Sequence, residues 1–166
     1  MNVQNAADPA KRAVIAATMK LCAPPEKVFP LLCPVLEYDW IDGWDCDLVF
    51  TQSGVAEQDC VFVTHFPGEE GEVWSVNRYE PHGRIEFTRF LPGKRVMRYV
   101  ITVEDDGAGG SNLVWTKIMT GLSSGALAGL ESTAPEQHAA MVERLKRMLG
   151  HYLETGKMLP REALHG

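Results

Sequence analysis

Between Asp45 and Leu122 the sequence falls into six short apolar or alternating segments, each closed by turn-forming residues, and this pattern restricts the fold more than any other feature. The segments run from Asp45 to Gln52, Cys60 to Phe66, Glu72 to Tyr79, Arg84 to Phe90, Arg95 to Glu104 and Asn112 to Leu122. Ser53-Gly54, Pro67-Gly68, Pro81-His82-Gly83, Pro92-Gly93 and the stretch from Asp105 to Gly110 separate them. Short period-two segments joined by such turns predict an antiparallel meander.

Helical signals flank the meander. An earlier strand is expected over Arg12 to Leu21, followed by a short helical piece that starts at Pro24-Pro25-Glu26 and is cut off by Pro30 and Pro34. After a small-residue stretch from Gly121 to Ser132, a helix is predicted from Thr133 to Thr155. Thr133 and Glu136 have capping-box spacing, and Gly156 suits the C-terminal cap. Met141, Leu145, Met148 and Tyr152 recur at intervals of 4, 3 and 4, with Val142 and Leu149 beside them, so one face is broadly apolar. The expected order is β-α-β6-α.

A chain of 166 residues has room for one core. The expected organisation is a flexible tail over 1–11, a single domain over 12–156 and a C-terminal tail over 157–166. The net charge of -6 and the absence of a Lys/Arg cluster argue against a nucleic-acid partner. The basic pair before the apolar run at Val14 is interrupted by Lys20 and Pro24, so it reads as a strand rather than a leader, and no stretch approaches a membrane span. Cys22, Cys33, Cys46 and Cys60 lie 11 to 14 residues apart without C-x-x-C spacing. Reduced thiols and a cytoplasmic setting are expected.

The element order, together with Ala23-Pro24-Pro25-Glu26-Lys27-Val28-Phe29 after the first strand, resembles the Bet v 1-like or START-like superfamily, also called SRPBCC. Within it the chain is similar to bacterial polyketide cyclase/dehydrase and lipid-transport-like proteins, through the segment from Leu32 to Ile41, Arg84-Ile85-Glu86-Phe87 and Pro92-Gly93-Lys94-Arg95-Val96. The resemblance covers about residues 12 to 156. It implies an α+β helix-grip fold: a curved seven-stranded antiparallel sheet around a long C-terminal helix, enclosing an apolar cavity for a lipid, polyketide or other small hydrophobic molecule. No catalytic signature carries over.

Alternation assigns strand faces independently of the resemblance. Arg98 marks the solvent side of its strand, so Met97, Tyr99, Ile101 and Val103 point inward; Arg84, Glu86 and Thr88 leave Ile85, Phe87 and Arg89 inside. A turn at Pro92-Gly93 pairs Phe87 with Tyr99 and Arg89 with Met97. Extended through the other turns, the same registers place Val61, Asn77, Phe87, Tyr99 and Ile118 in one inward row and Val63, Ser75, Arg89, Met97 and Thr120 in the next. A one-residue slip in any strand would reverse its faces.

The expected cavity residues are therefore Trp44, Val63, His65, Ser75, Asn77, Phe87, Arg89, Met97, Tyr99, Ile118, Met141 and Leu145. Asn77, Ser75, Arg89 and Tyr99 can orient a polar group of a mostly hydrophobic ligand, or bond only to backbone, water or a carboxylate. His65 is the best acid or base by intrinsic pKa, yet its strand-end position equally suits a structural or exposed role. The run Asp39-Trp40-Ile41-Asp42-Gly43-Trp44-Asp45-Cys46-Asp47 admits three readings: a hard-cation site, a gate over the cavity, or tryptophans capping the core beside exposed aspartates. No cofactor and no metal is expected. Three functions follow: binding of a small hydrophobic ligand, a cyclase/dehydrase-type enzyme using His65, Arg89 and Tyr99, or a protein-interaction module without a ligand. A homodimer stays open.

Overall fold

A computed structural model of the chain describes residues 12–65, 71–123, 127 and 134–164. Strand β1 (Arg12–Leu21) leads into helix α1 (Pro25–Val28), which Pro25 opens at its first position. Pro30 and Pro34 supply no backbone N–H, and the chain continues as two tight turns, Phe29–Leu32 and Leu36–Asp39, instead of a longer helix. Six strands follow: β2 (Cys46–Phe50), β3 (Val61–Thr64), β4 (Glu72–Glu80), β5 (Arg84–Leu91), β6 (Arg95–Asp105) and β7 (Ser111–Gly121). Helix α2 (Pro135–Thr155) comes last, then a short turn over Arg161–Leu164.

The strands form one antiparallel sheet in the order β1-β7-β6-β5-β4-β3-β2. This is the expected helix-grip architecture: a seven-stranded sheet with α2 packed across it against β1. Val142, Met148 and Leu149 are the buried side of α2. Gly156 ends the helix with φ 66°, a left-handed conformation that glycine adopts without steric cost. Ala134 occupies the N-terminal cap. Thr133, expected there, lies outside the described residues.

Two local features set which side chains face the helix. In β4, pairing with β5 begins as the turn predicts, Glu80 with Arg84 and Tyr79 with Ile85, but a bulge between Val76 and Arg78 shifts the register by one. Beyond the bulge Val76 pairs with Phe87 and Trp74 with Arg89, so Glu72, Trp74 and Val76 turn inward. In β7, a five-residue connection from Asp106 to Gly110 pairs Tyr99 with Lys117. Asp106 shapes it by accepting hydrogen bonds from the N–H groups of Ala108 and Gly110, both at 2.8 Å. Leu113, Trp115, Lys117 and Met119 consequently face the core.

The C-terminal segment, expected as a tail, instead folds back over the domain through 161–164. The Arg161 backbone N–H donates to Asp42 Oδ2 at 2.9 Å and its Nε to the Asp42 carbonyl at 2.7 Å, while Arg147 donates to the Leu164 carbonyl at 2.8 Å. The Arg161 guanidinium lies on Gly43, where an added Cβ would sit 2.8 Å from it.

Candidate functional site

Between the concave face of the sheet and α2 lies a cavity of about 680 Å³. That volume falls within the roughly 300–1,000 Å³ of small-molecule pockets. Its aromatic wall is continuous across four strands. Phe62 stacks on Trp74 at 5.4 Å, Trp74 stacks on Tyr99 at 5.6 Å, and Phe87 meets Trp74 edge-on at 5.9 Å. Trp74 is held in place by donating its Nε1–H to Thr64 Oγ1 at 2.8 Å. Met141, Leu145 and Met148 close the helix side.

Polar groups interrupt this surface at defined points. Arg89 lines the cavity with its guanidinium 4.7 Å from the centre of the Trp74 ring, and it pairs with Glu72. Glu72 is only 1% exposed and also accepts from Arg95 at 2.7 Å, so one buried carboxylate serves two guanidiniums. Lys117 enters from β7, with Nζ 5.6 Å from the Tyr99 ring centre. It is 4% exposed, and among the described residues no carboxylate or carbonyl accepts from its amine. Burial first, and then the charges of Arg89 and Arg95, bring the Lys117 amine down to about 8. Glu37 lines the same cavity from the turn Leu36–Asp39, and burial pushes its carboxyl up to about 8.

The run from Asp39 to Asp47 divides its labour. Trp40 is fully buried and donates to the Leu31 carbonyl at 2.8 Å, so it caps the core. Trp44 donates to the Pro34 carbonyl at 2.8 Å and presents its ring to the cavity. Asp42 anchors Arg161, which with Leu164 completes the cavity wall at that end. Among the described residues no cluster of His, Cys, Asp or Glu is arranged to hold a metal. His138 is buried on α2, where burial lowers its pKa, and it donates Nε2–H to the Trp115 carbonyl at 2.9 Å, tying the helix to β7.

Of the residues singled out from the sequence, Trp44, Phe87, Arg89, Tyr99, Met141 and Leu145 line the cavity. Met97 is buried on the inward face of β6 but is not part of the lining. Val63, Ser75 and Asn77 do not line it, because Asn77 sits in the β4 bulge and the reversal passes from β4 to β3, where Val61 pairs with Ser75. Phe62 and Trp74 occupy the inward positions instead. Ile118 pairs with Arg98 on the outer face, because the Asp106–Gly110 connection sets β7 one residue away from the expected register. His65 lies beyond the end of β3, exposed, with Nε2 3.0 Å from Asp47 Oδ2. It is not among the residues that line the cavity.

Lys117, Glu37, Asp42, Arg144 and Arg161 were the polar lining groups missed. For Lys117 a signal existed: Leu113, Trp115 and Met119 are in phase with it, so a lysine inside an apolar period-two series marks an inward charge.

No family model and no curated protein matches the sequence. Solved structures do match. A norcoclaurine synthase point mutant from Thalictrum flavum, in complex with a transition-state analogue, aligns with TM-score 0.64 and 13% identity over 86% of this chain and 96% of its own. DynU16, from the dynemicin biosynthetic locus, aligns with TM-score 0.60 and 20% identity over 87% of this chain and 48% of its own. The Aha1 dimer from Colwellia psychrerythraea aligns with TM-score 0.59 and 17% identity over 87% and 98%. At these identities the likeness is one of fold. The chain shares the helix-grip fold of these proteins. Among the described residues no helix is long and apolar enough to cross a membrane.

Proposed function

We propose that the protein binds a small hydrophobic molecule, lipid-, polyketide- or aromatic-like, between the sheet and α2, in a cytoplasmic setting that suits its four free cysteines. The observation that carries this reading is the cavity of about 680 Å³ walled by Phe62, Trp74, Phe87 and Tyr99. A flat apolar ligand would gain stacking area there, while Arg89, Lys117 and Glu37 orient its polar end. An interaction module without a ligand would instead be expected to have a filled interior.

The test is a titration with an apolar aromatic fluorophore, followed by its emission and by quenching of Trp44, Trp74 and Trp115. Saturable uptake at one site is expected, and Leu145→Trp, which places an indole in the cavity, should weaken it at least tenfold while leaving the far-ultraviolet circular dichroism unchanged. Uptake unaffected by Leu145→Trp would contradict the assignment of the site.

A cyclase-type reaction on a ligand of the same class is the second reading. It is favoured by a carboxyl and an amine in one cavity that both titrate near about 8, close to the range useful for proton transfer. Its participants would be Glu37, Lys117, Arg89 and Tyr99, without His65.

A further inference from the structure

We propose that Lys117 is a covalent capture site for carbonyl compounds, condensing reversibly with an aldehyde or methyl ketone carried on a flat apolar body. The proposal rests on the ligand-binding reading above and adds to it the functional group that the ligand bears.

The placement of the amine makes the case. Lys117 stands in the series Leu113, Trp115, Lys117, Met119 on the concave side of β7, and its side chain lines the cavity. It is 4% exposed. The nearby carboxylate, Glu72, is engaged by Arg89 and Arg95, and among the described residues no other carboxylate pairs with Lys117. Its near neighbours are the Tyr99 ring, 5.6 Å from Nζ, and the two guanidiniums; Glu37, Arg144 and Arg161 line the same cavity.

A lysine placed only for stability would be expected to have a counter-ion or to extend to water, since an isolated buried ammonium is costly. Desolvation combined with neighbouring cations is the environment that turns a lysine into a nucleophile. With its pKa brought from 10.5 to about 8, the amine is neutral at pH 7 roughly 300 times more often than an unperturbed lysine.

The chemistry is balanced without a further reagent. The neutral Nζ lone pair attacks the carbonyl carbon, forming a C–N bond as the C=O π pair moves to oxygen. Proton transfer from nitrogen to oxygen gives a carbinolamine. Loss of that hydroxyl as water, with the remaining N–H proton released, leaves a C=N bond, so amine plus carbonyl gives imine plus water. Phe62, Trp74, Phe87 and Tyr99 form the surface on which an aromatic or polyene body would lie while its carbonyl reaches Nζ.

The experiment uses 6-methoxy-2-naphthaldehyde with sodium cyanoborohydride, which reduces the imine to a stable secondary amine, and 2-methoxynaphthalene as the carbonyl-free control. Intact mass and peptide mapping locate the label, and tryptophan quenching reports entry of either probe. One equivalent at Lys117 is expected, with a loss of at least tenfold in Lys117→Met. Quenching by both probes with label only on exposed lysines such as Lys20 and Lys146 would overturn the capture site and leave the cavity reading intact. Absence of both quenching and Lys117 label would overturn the two together. Mapping on the wild-type protein keeps the test independent of how the variant folds.

Discussion

Replacing Lys117 with methionine gives the sharpest quantitative test of how the cavity is built. In the folded protein Lys117 is 4% exposed and the pKa of its amine falls from 10.5 to about 8, mainly through burial and further through Arg89 and Arg95. A shift of that size corresponds to about 3 kcal/mol against the charged form in the folded state. A lowered amine pKa means that the unfolded chain binds more protons between about 8 and 10.5. Stability therefore rises as pH climbs through that window, and the full penalty is present below it.

Lys117→Met removes the penalty while keeping a flexible apolar side chain of similar length. The variant should be about 3 kcal/mol more stable at pH 7, or roughly 6–12 °C higher in Tm for a chain of this size. The advantage should shrink toward zero by about pH 10.5. Urea melts of both proteins from pH 6.5 to 10.5 provide the readout, with an unchanged m-value as the condition for comparing midpoints. A packing change would offset the two curves equally at every pH. A stability difference that does not vary with pH would therefore refute the reasoning, even if its sign at pH 7 were right.

Three further outcomes follow from the same structure. Glu72→Gln leaves Arg89 and Arg95 buried without their shared carboxylate, and it should cost about 3–5 kcal/mol by urea denaturation. Glu37→Gln should flatten a pH dependence of opposite sign: with its carboxyl raised from 4.5 to about 8, the folded state holds the proton more tightly, so wild-type stability falls as pH rises through that interval and the glutamine variant lacks the fall. Arg161→Ala removes the Nε–H donor to the Asp42 carbonyl and the guanidinium from the cavity wall, leaving the backbone N–H bond to Asp42 Oδ2; stopped-flow release of a bound fluorophore should become several-fold faster, while stability changes by less than about 1 kcal/mol because the contact is exposed.

Particular residues show how far the sequence reaches. The turn at Pro92-Gly93 is tight and regular, and it pairs Phe87 with Tyr99 and Arg89 with Met97 as alternation predicts. The turn at Pro81-His82-Gly83 was equally legible, since Glu80 meets Arg84 and Tyr79 meets Ile85. Three residues further on, the bulge at Asn77 inserts one position and exchanges the faces of β4 and, through it, β3. Asn77 carries no glycine or proline that would announce such an insertion.

The displacement in β7 has a different origin. The five-residue connection from Asp106 to Gly110 sets its register one residue away from the one carried through the turns, whereas the apolar residues on either side of Lys117 in the period-two series fix it inward. The turn at Arg161–Leu164 depends on the return of the C-terminal segment to Asp42, a contact across 119 residues that no local pattern encodes.

The central claim is that the space between α2 and the aromatic wall holds a small hydrophobic ligand. Native mass spectrometry of the protein purified from its own host tests it most directly. The account predicts a retained small molecule seen as a discrete adduct, depleted in Leu145→Trp prepared in parallel. A spectrum showing only the bare chain mass in every preparation, or an adduct equally abundant in Leu145→Trp, would contradict it.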